Sequence, residues 1–309
     1  MSRDSMTGID LLEQELLRVL SRGARGQEKR IRSVQQAFLD LDEDLRSIME
    51  HYIDVNVRGG LSVSDLAQAY VFFLAENDKE EKYFFEHGRY RYDCLQDVQH
   101  KVYENGEYMQ KYMVGLAVSM ILWPQHREYF RFFSHFIDLC NHYRGKYLEV
   151  GAGHGLFVSE ALRRGNFTRY DILDISEKSL ELTKRMTAEY SAEKNIQFIH
   201  DNFLQYSGMM YDVVSIGEVL EHVENPVDFL GKCREILADE GRAYLTTCIN
   251  APEVDHIYLF SAVDEVENMF AEVGMEIEEK LYITYRGYDM ERCERQKLPV
   301  NVAYILKRG

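Results

Sequence analysis

Glycines, carboxylates and two histidines carry the chemistry this sequence points to. In Lys146-Tyr147-Leu148-Glu149-Val150-Gly151-Ala152-Gly153-His154-Gly155, glycines alternate after a short apolar segment and before the helical stripe Leu156, Val158, Ala161 and Leu162. Glycine lets a ligand approach the backbone and permits dihedral angles that other residues resist. The helix beyond the turn offers unpaired N–H groups and a positive dipole end. A dinucleotide site requires G-x-G-x-x-G. Leu156 holds the place of its third glycine here. The G-x-G-x-G spacing behind Glu149 departs from pyrophosphate binding and suits a ligand with an amino-acid end.

Asp174 closes Tyr170-Asp171-Ile172-Leu173-Asp174-Ile175-Ser176. A carboxylate about twenty residues beyond a glycine loop can accept hydrogen bonds from both ribose hydroxyls. The competing role is a helix N-cap, a duty Ser176 can take. Strand alternation turns Asp171 to another face. Asp201, in Ile199-His200-Asp201-Asn202-Phe203, can accept the exocyclic N–H of a purine while Phe203 frames the ring. A plain Asp-Asn turn is the equal alternative. Glu218 and His222 stand four apart in Glu218-Val219-Leu220-Glu221-His222-Val223 and share a face if that turn is helical. His256 lies in the loop after the fifth strand. His256 and His222 are the candidate bases, each with a structural role as its alternative. Glu218, His222 and His256 match no compact ligand spacing, so no metal is expected.

The elements that must position these residues differ between the two halves. Residues 1–142 read as helical. Leu11, Leu12, Leu16, Leu17 and Leu20 keep helical spacing until Gly23 and Gly26. One helix is expected over Glu28–Tyr52. Ser62-Val63-Ser64-Asp65 resembles a capping box. Met109, Met113, Leu116 and Met120 form another stripe, ended or restarted at Pro124. A last helix runs through Tyr129, Phe133 and Phe136. Most of the many tyrosines, Tyr103 among them, read as core, but Tyr108 and Tyr112 share a helix face and are candidate acceptor contacts. From Gly145, strands at 146–150, 169–174, 196–200, 211–216 and 242–248 alternate with helices at 154–164, 176–190 and 227–238. That alternation implies a parallel sheet. A helix at 261–273 precedes strands at 275–286 and 300–307, which have no evident helix between them and should pair antiparallel.

Taken together, Leu148 to Gly155, Leu173-Asp174-Ile175-Ser176, His200 to Phe203, Tyr211-Asp212-Val213-Val214, Glu218 to Val223 and Ile236 to Arg242 resemble the class I S-adenosylmethionine-dependent methyltransferase family. The resemblance covers about 145–248 and implies a Rossmann-like α/β fold. That sheet is mostly parallel, with its last strands antiparallel. By resemblance, Glu149, Gly151, Ala152 and Gly153 hold the methionine end of S-adenosylmethionine. Asp174 and Ile175 flank the ribose, Asp201, Asn202 and Phe203 the adenine, and Glu218 lies by the methionine end or the acceptor. His154 stands where the family often has a small or hydroxyl residue. The change of pattern near Gly145 divides the chain into a helical, substrate-binding cap at 1–142, which lies outside the resemblance, and a catalytic domain at 143–309.

The chain has 309 residues and a net charge of −16, which opposes non-specific nucleic-acid binding. Five scattered cysteines without C-x-x-C spacing fit reduced thiols in a cytoplasmic protein. No apolar run reaches membrane-spanning length. The expectation is methylation of a small-molecule oxygen in specialised metabolism (natural product biosynthesis), with His256 as base and as an acceptor contact. Methylation of an amine, or of a peptide or carrier-bound substrate, is the alternative. A non-catalytic binding subunit is a further rival, and a homodimer stays open.

Overall fold

A computed structural model describes residues 6–22, 27–99, 102 and 105–309; Gly23, Gly26 and Tyr103 lie outside them. The sheet begins with β1 (Lys146–Val150), β2 (Arg169–Asp174), β3 (Ile196–His200) and β4 (Tyr211–Gly217). It continues with β5 (Leu237–Ile249), β6 (Met275–Thr284) and β7 (Val300–Arg308). Their order is β3-β2-β1-β4-β5-β7-β6. The β1–β5 pairs are parallel, and β7 pairs antiparallel with both β5 and β6. The chain moves outward from β1 to β3, then returns to lay β4 on β1's other side. That reversal opens a crevice at the carboxyl ends of β1 and β4.

Strand alternation builds two cores. Tyr147, Tyr170, Ile172, Val213 and Tyr244 point to one face. There they meet Phe133, Phe136 and Ile137 of α7 (Pro124–Cys140), Val158 and Leu162 of α8 (Leu156–Arg164) and Leu180 of α9 (Glu177–Met186). Leu148, Val150, Val214, Ile216 and Leu245 point to the other face, against α10 (Pro226–Ile236) and α11 (Val263–Glu272). Each fully buried aliphatic side chain contributes roughly 1.5–3 kcal/mol of hydrophobic stabilisation.

Ahead of the sheet lie α1 (Gly8–Ser21), α2 (Glu28–Leu39), α3 (Glu43–Arg58), α4 (Val63–His87), the single turn α5 (Leu95–Val98) and α6 (Gly106–Leu122). Ser62 and Asp65 form the expected capping box of α4. The single helix expected over 28–52 is instead two, because Asp42 accepts the Leu45 N–H at 2.9 Å and starts α3 afresh. A helix unforeseen in the sequence, α12 (Met290–Gln296), stands between β6 and β7, capped by Asp289 on the Arg292 N–H at 2.8 Å. The antiparallel pairing of those strands survives it. Strand β5 starts at Leu237, directly off α10, with an irregularity opposite Tyr211 and Val213. The expected boundary at 142–143 cuts through packed structure, since α7 shares its core with β1, β2 and β5. Leu156, Leu182, Met186, Val254 and Ile257 likewise pack into the core of the N-terminal helices.

Candidate active site

The glycine turn closes β1 tightly. Gly151, Gly153 and Gly155 all have positive φ, at 78°, 52° and 82°. A Cβ at Gly151 would lie 2.6 Å from Val219 Cγ2, so the turns after β1 and β4 touch there. A Cβ at Gly153 would meet nothing nearer than Met113 Sδ at 3.8 Å, so its bare backbone faces open space. That space is a cavity of about 460 Å³. Gly151, Gly153, Asp174, Ile175, Asp201, Asn202, Phe203, Glu218 and His222 all line it, joined by Met109 and Met113 of α6. The four strand-end motifs, far apart in sequence, therefore meet in one crevice.

Asp174 braces the turn as well as lining the cavity. It accepts the Ser176 N–H at 2.7 Å and the Gly153 N–H at 3.3 Å. Burial pushes its carboxyl up to about 6 despite those bonds. Asp171 is turned away as alternation requires and takes Arg169 and Tyr211 instead. His154 finds its role here: Nδ1 accepts the Leu156 N–H at 3.2 Å, capping α8. Burial holds the ring neutral, down to about 3.

Three sequence-derived assignments sit elsewhere. Glu149 does not line the cavity, because strand alternation puts it on the face of Tyr147, whose hydroxyl it accepts beneath the turn. Burial raises that carboxyl to about 8. Ala152 is buried and outside the lining. Tyr108 and Tyr112 stack 6.2 Å apart on one face of α6, yet neither lines this cavity or the second one described below. Their hydroxyls donate to Glu76 at 3.0 Å and Glu253 at 2.6 Å.

A second cavity, of about 830 Å³, lies between the N-terminal helices, the 251–256 loop and the β6–β7 end of the sheet. Tyr70, Asn77, Trp123, Cys248, Glu253, His256 and Tyr282 line it. Glu218 lines both cavities. Its backbone is strained, with φ of 51°, and its N–H donates to Thr246 Oγ1 at 2.9 Å. Burial raises its carboxyl to about 7, and Oε1 has no hydrogen-bond partner among the described residues.

The imidazoles of His222 and His256 lie 4.8 Å apart, nearly perpendicular, one lining each cavity. His256 Nδ1 is 2.7 Å from the Ala251 carbonyl oxygen. A carbonyl only accepts, so Nδ1 carries the proton and Nε2 bears the lone pair. Burial and His222 hold His256 well below its usual range, so the ring is neutral at pH 7. His222 is fixed alike, with Nδ1 3.0 Å from the Asp255 carbonyl oxygen. Glu221, Cys248 and His256 each bring a ligand-type atom within 4.8 Å of the others, as do His222, Asp255 and His256. The Nδ1 atoms of both histidines are already committed to backbone carbonyls.

The first cavity selects by charge. Its described lining includes Asp174, Asp201, Glu218, Glu224, Asp228 and Asp255 and neither lysine nor arginine. Phosphates are repelled there, whereas a ligand with hydroxyl and amino donors and a positive centre is welcome. The residues therefore fit a sulfonium nucleoside: a bare turn, carboxylates at two strand ends, and a third carboxylate beside a second chamber.

Residues 148–243 match a family model described as a Methyltransferase domain. The ubiquinone biosynthesis O-methyltransferase of Acinetobacter baylyi is 28% identical over 123 residues, covering 38% of this chain and 48% of that protein. Its counterpart in Neisseria meningitidis is 28% identical over 130 residues, covering 41% and 52%. The chain thus spans about half the length of the curated relatives it matches. Among solved structures, the N-methyltransferase NodS from Bradyrhizobium japonicum, in complex with S-adenosyl-L-homocysteine, is 13% identical. That match covers 70% of this chain and 98% of NodS, with a TM-score of 0.48.

Proposed function

We propose that this chain, whose residues 148–243 form a class I S-adenosylmethionine-dependent methyltransferase domain, methylates a hydroxyl of a small molecule held in the second cavity. The observation that carries this reading is Glu218, which lines both cavities and so marks where donor and acceptor meet. S-adenosylmethionine, when bound, supplies a methyl group on a positively charged sulfur. Asp174 is assigned to the ribose hydroxyls, Asp201 and Asn202 to the adenine amine, and the Gly151–Gly153 backbone to the amino-acid end. Phe203 packs the ring. Glu218 offers negative charge toward a cationic centre in either chamber.

On the acceptor side, Nε2 of His256 takes the hydroxyl proton. Burial and the neighbouring His222 keep its basicity low, which suits a neutral resting state ready to accept a proton. The N-terminal helices exclude water by closing one side of each chamber. Identity to ubiquinone O-methyltransferases, about half of whose length is matched, agrees with oxygen as the accepting atom. Nitrogen is the second reading, favoured by the carboxyls Glu218 and Glu253 facing the acceptor chamber.

The test is a metabolite screen by mass spectrometry, followed by kinetics on the best acceptor. His256→Ala is expected to lower kcat about 10²–10⁴-fold with cofactor affinity unchanged. A wild-type rate would remove His256 as the base, and no methylated product from any screened acceptor would count against the activity.

A further inference from the structure

Two buried side-chain acceptors on the wall of the second cavity find no donor among the described residues. Asn77 of α4 lines it, is 8% exposed, and has an Oδ1 with no partner among the described residues. Its amide acts on the Glu253 carboxyl, easing the rise to about 8 that burial imposes there. Glu253 accepts the Tyr112 hydroxyl at 2.6 Å and presents its carboxyl to the same space. Glu218 Oε1 is a second unpartnered acceptor, and His256 Nε2 bears a lone pair. The Trp123 indole N–H, the obvious donor on the wall, is spent on the Tyr70 hydroxyl at 3.1 Å.

Buried acceptors left without donors cost about 1–3 kcal/mol each. A cluster of them in a chamber calls for a ligand rich in N–H or O–H groups. An ammonium meets the need best. It supplies three donors from one atom, offsets the carboxyls' burial, and is attracted to the faces of aromatic walls such as Tyr70, Trp123 and Tyr282. The rim, with exposed Lys29, Glu81 and Arg286 and half-buried Arg30, carries both signs and leaves the selection to the interior.

We propose that the acceptor is an amino alcohol, its amine held as an ammonium by Asn77 and Glu253 while its hydroxyl is presented to Glu218 and His256. This rests on the methyl-transfer reading of the same cavity. Asn77 and Glu253 are then specificity-determining residues: they select molecules with an amine beside the reacting hydroxyl and reject neutral polyols of equal shape.

The test uses matched probes on the full chain saturated with S-adenosyl-L-homocysteine. The pairs are 2-amino-1-phenylethanol against 1-phenyl-1,2-ethanediol, and glucosamine against glucose, measured by titration calorimetry. At least one amine is expected to bind about tenfold or more tightly than its diol or sugar partner. Asn77→Leu and Glu253→Gln should erase the preference while keeping nucleoside affinity, which reports on folding. Equal affinities, tighter binding of the neutral partners, or no saturable amine binding would overturn the proposal. A preference that survives both substitutions would overturn it too. The probe titrations are repeated without the nucleoside. Failure of the nucleoside to bind would therefore strike the methyl-transfer reading, whereas nucleoside binding without amine preference strikes only this one.

Discussion

Glu149 shows how burial converts a residue into a pH-dependent stability element. Its folded carboxyl is raised to about 8 from an ordinary 4.5, chiefly by burial. The fold therefore keeps a proton that the unfolded chain releases between those values. Stability from this residue is fully present below pH 4.5 and declines as pH rises toward 8. Glu149→Gln removes the titrating group. The variant's stability relative to wild type should thus improve by a few kcal/mol between pH 5 and 8, measured by urea unfolding across pH. A constant difference would show that Glu149 is ionised throughout. At this scale the strand-end residues were legible in the sequence. Asp174, Asp201 and Glu218 follow apolar runs whose alternation sets their direction, and the same rule, applied to Tyr147 and Glu149, sends Glu149 away from the cavity. Asn77 and Glu253 were not legible, since they come to one cavity from positions 176 apart in the sequence. Tyr112 misled for another reason: α6 is buried almost all round, so its spacing names no single inward face.

Among the elements, α4 and α6 cross closely, with α6 lining both chambers and α4 the second. A Cβ on Gly115 would lie 2.4 Å from the Ala69 carbonyl oxygen and 2.6 Å from Phe73 Cβ. Gly115→Ala gains up to about 1 kcal/mol in helix propensity. The clash is with backbone, which cannot move aside cheaply, and overpacking of this kind costs about 1–3 kcal/mol. The net expectation is destabilisation, read as a lower urea midpoint with an unchanged slope. A midpoint at or above wild type would mean that the helices part without loss. Strands β1, β2 and β3 and the antiparallel end of the sheet followed from alternation and length. The break before α3 was harder, because the stripe Ile31, Val34, Phe38, Leu41, Leu45 and Ile48 runs across it in helical step. Asp42 had to be recognised as a cap against that periodicity. Helix α12 buries only Cys293 among its residues, so it left almost no apolar pattern to find.

For the whole molecule, the sheet and the helices form one packed body in which α7 belongs with the sheet and α1–α6 roof the carboxyl ends of its strands. No helix among the described residues is long and apolar enough to cross a membrane. The net charge of −16 and the acidic first chamber draw a cationic ligand inward, an attraction that salt weakens. The roof's architecture had no sequence motif to announce it, since its function lies in shape and in contacts between distant helices. The central claim is that this crevice grips a sulfonium nucleoside through its strand-end carboxylates. It is tested most directly by titration calorimetry of S-adenosylmethionine into the full chain and into Asp174→Ala. One-to-one saturable binding to the wild type, weakened about tenfold or more in the variant, is the expected result. No binding to the wild type, or equal affinity in the two proteins, would contradict it.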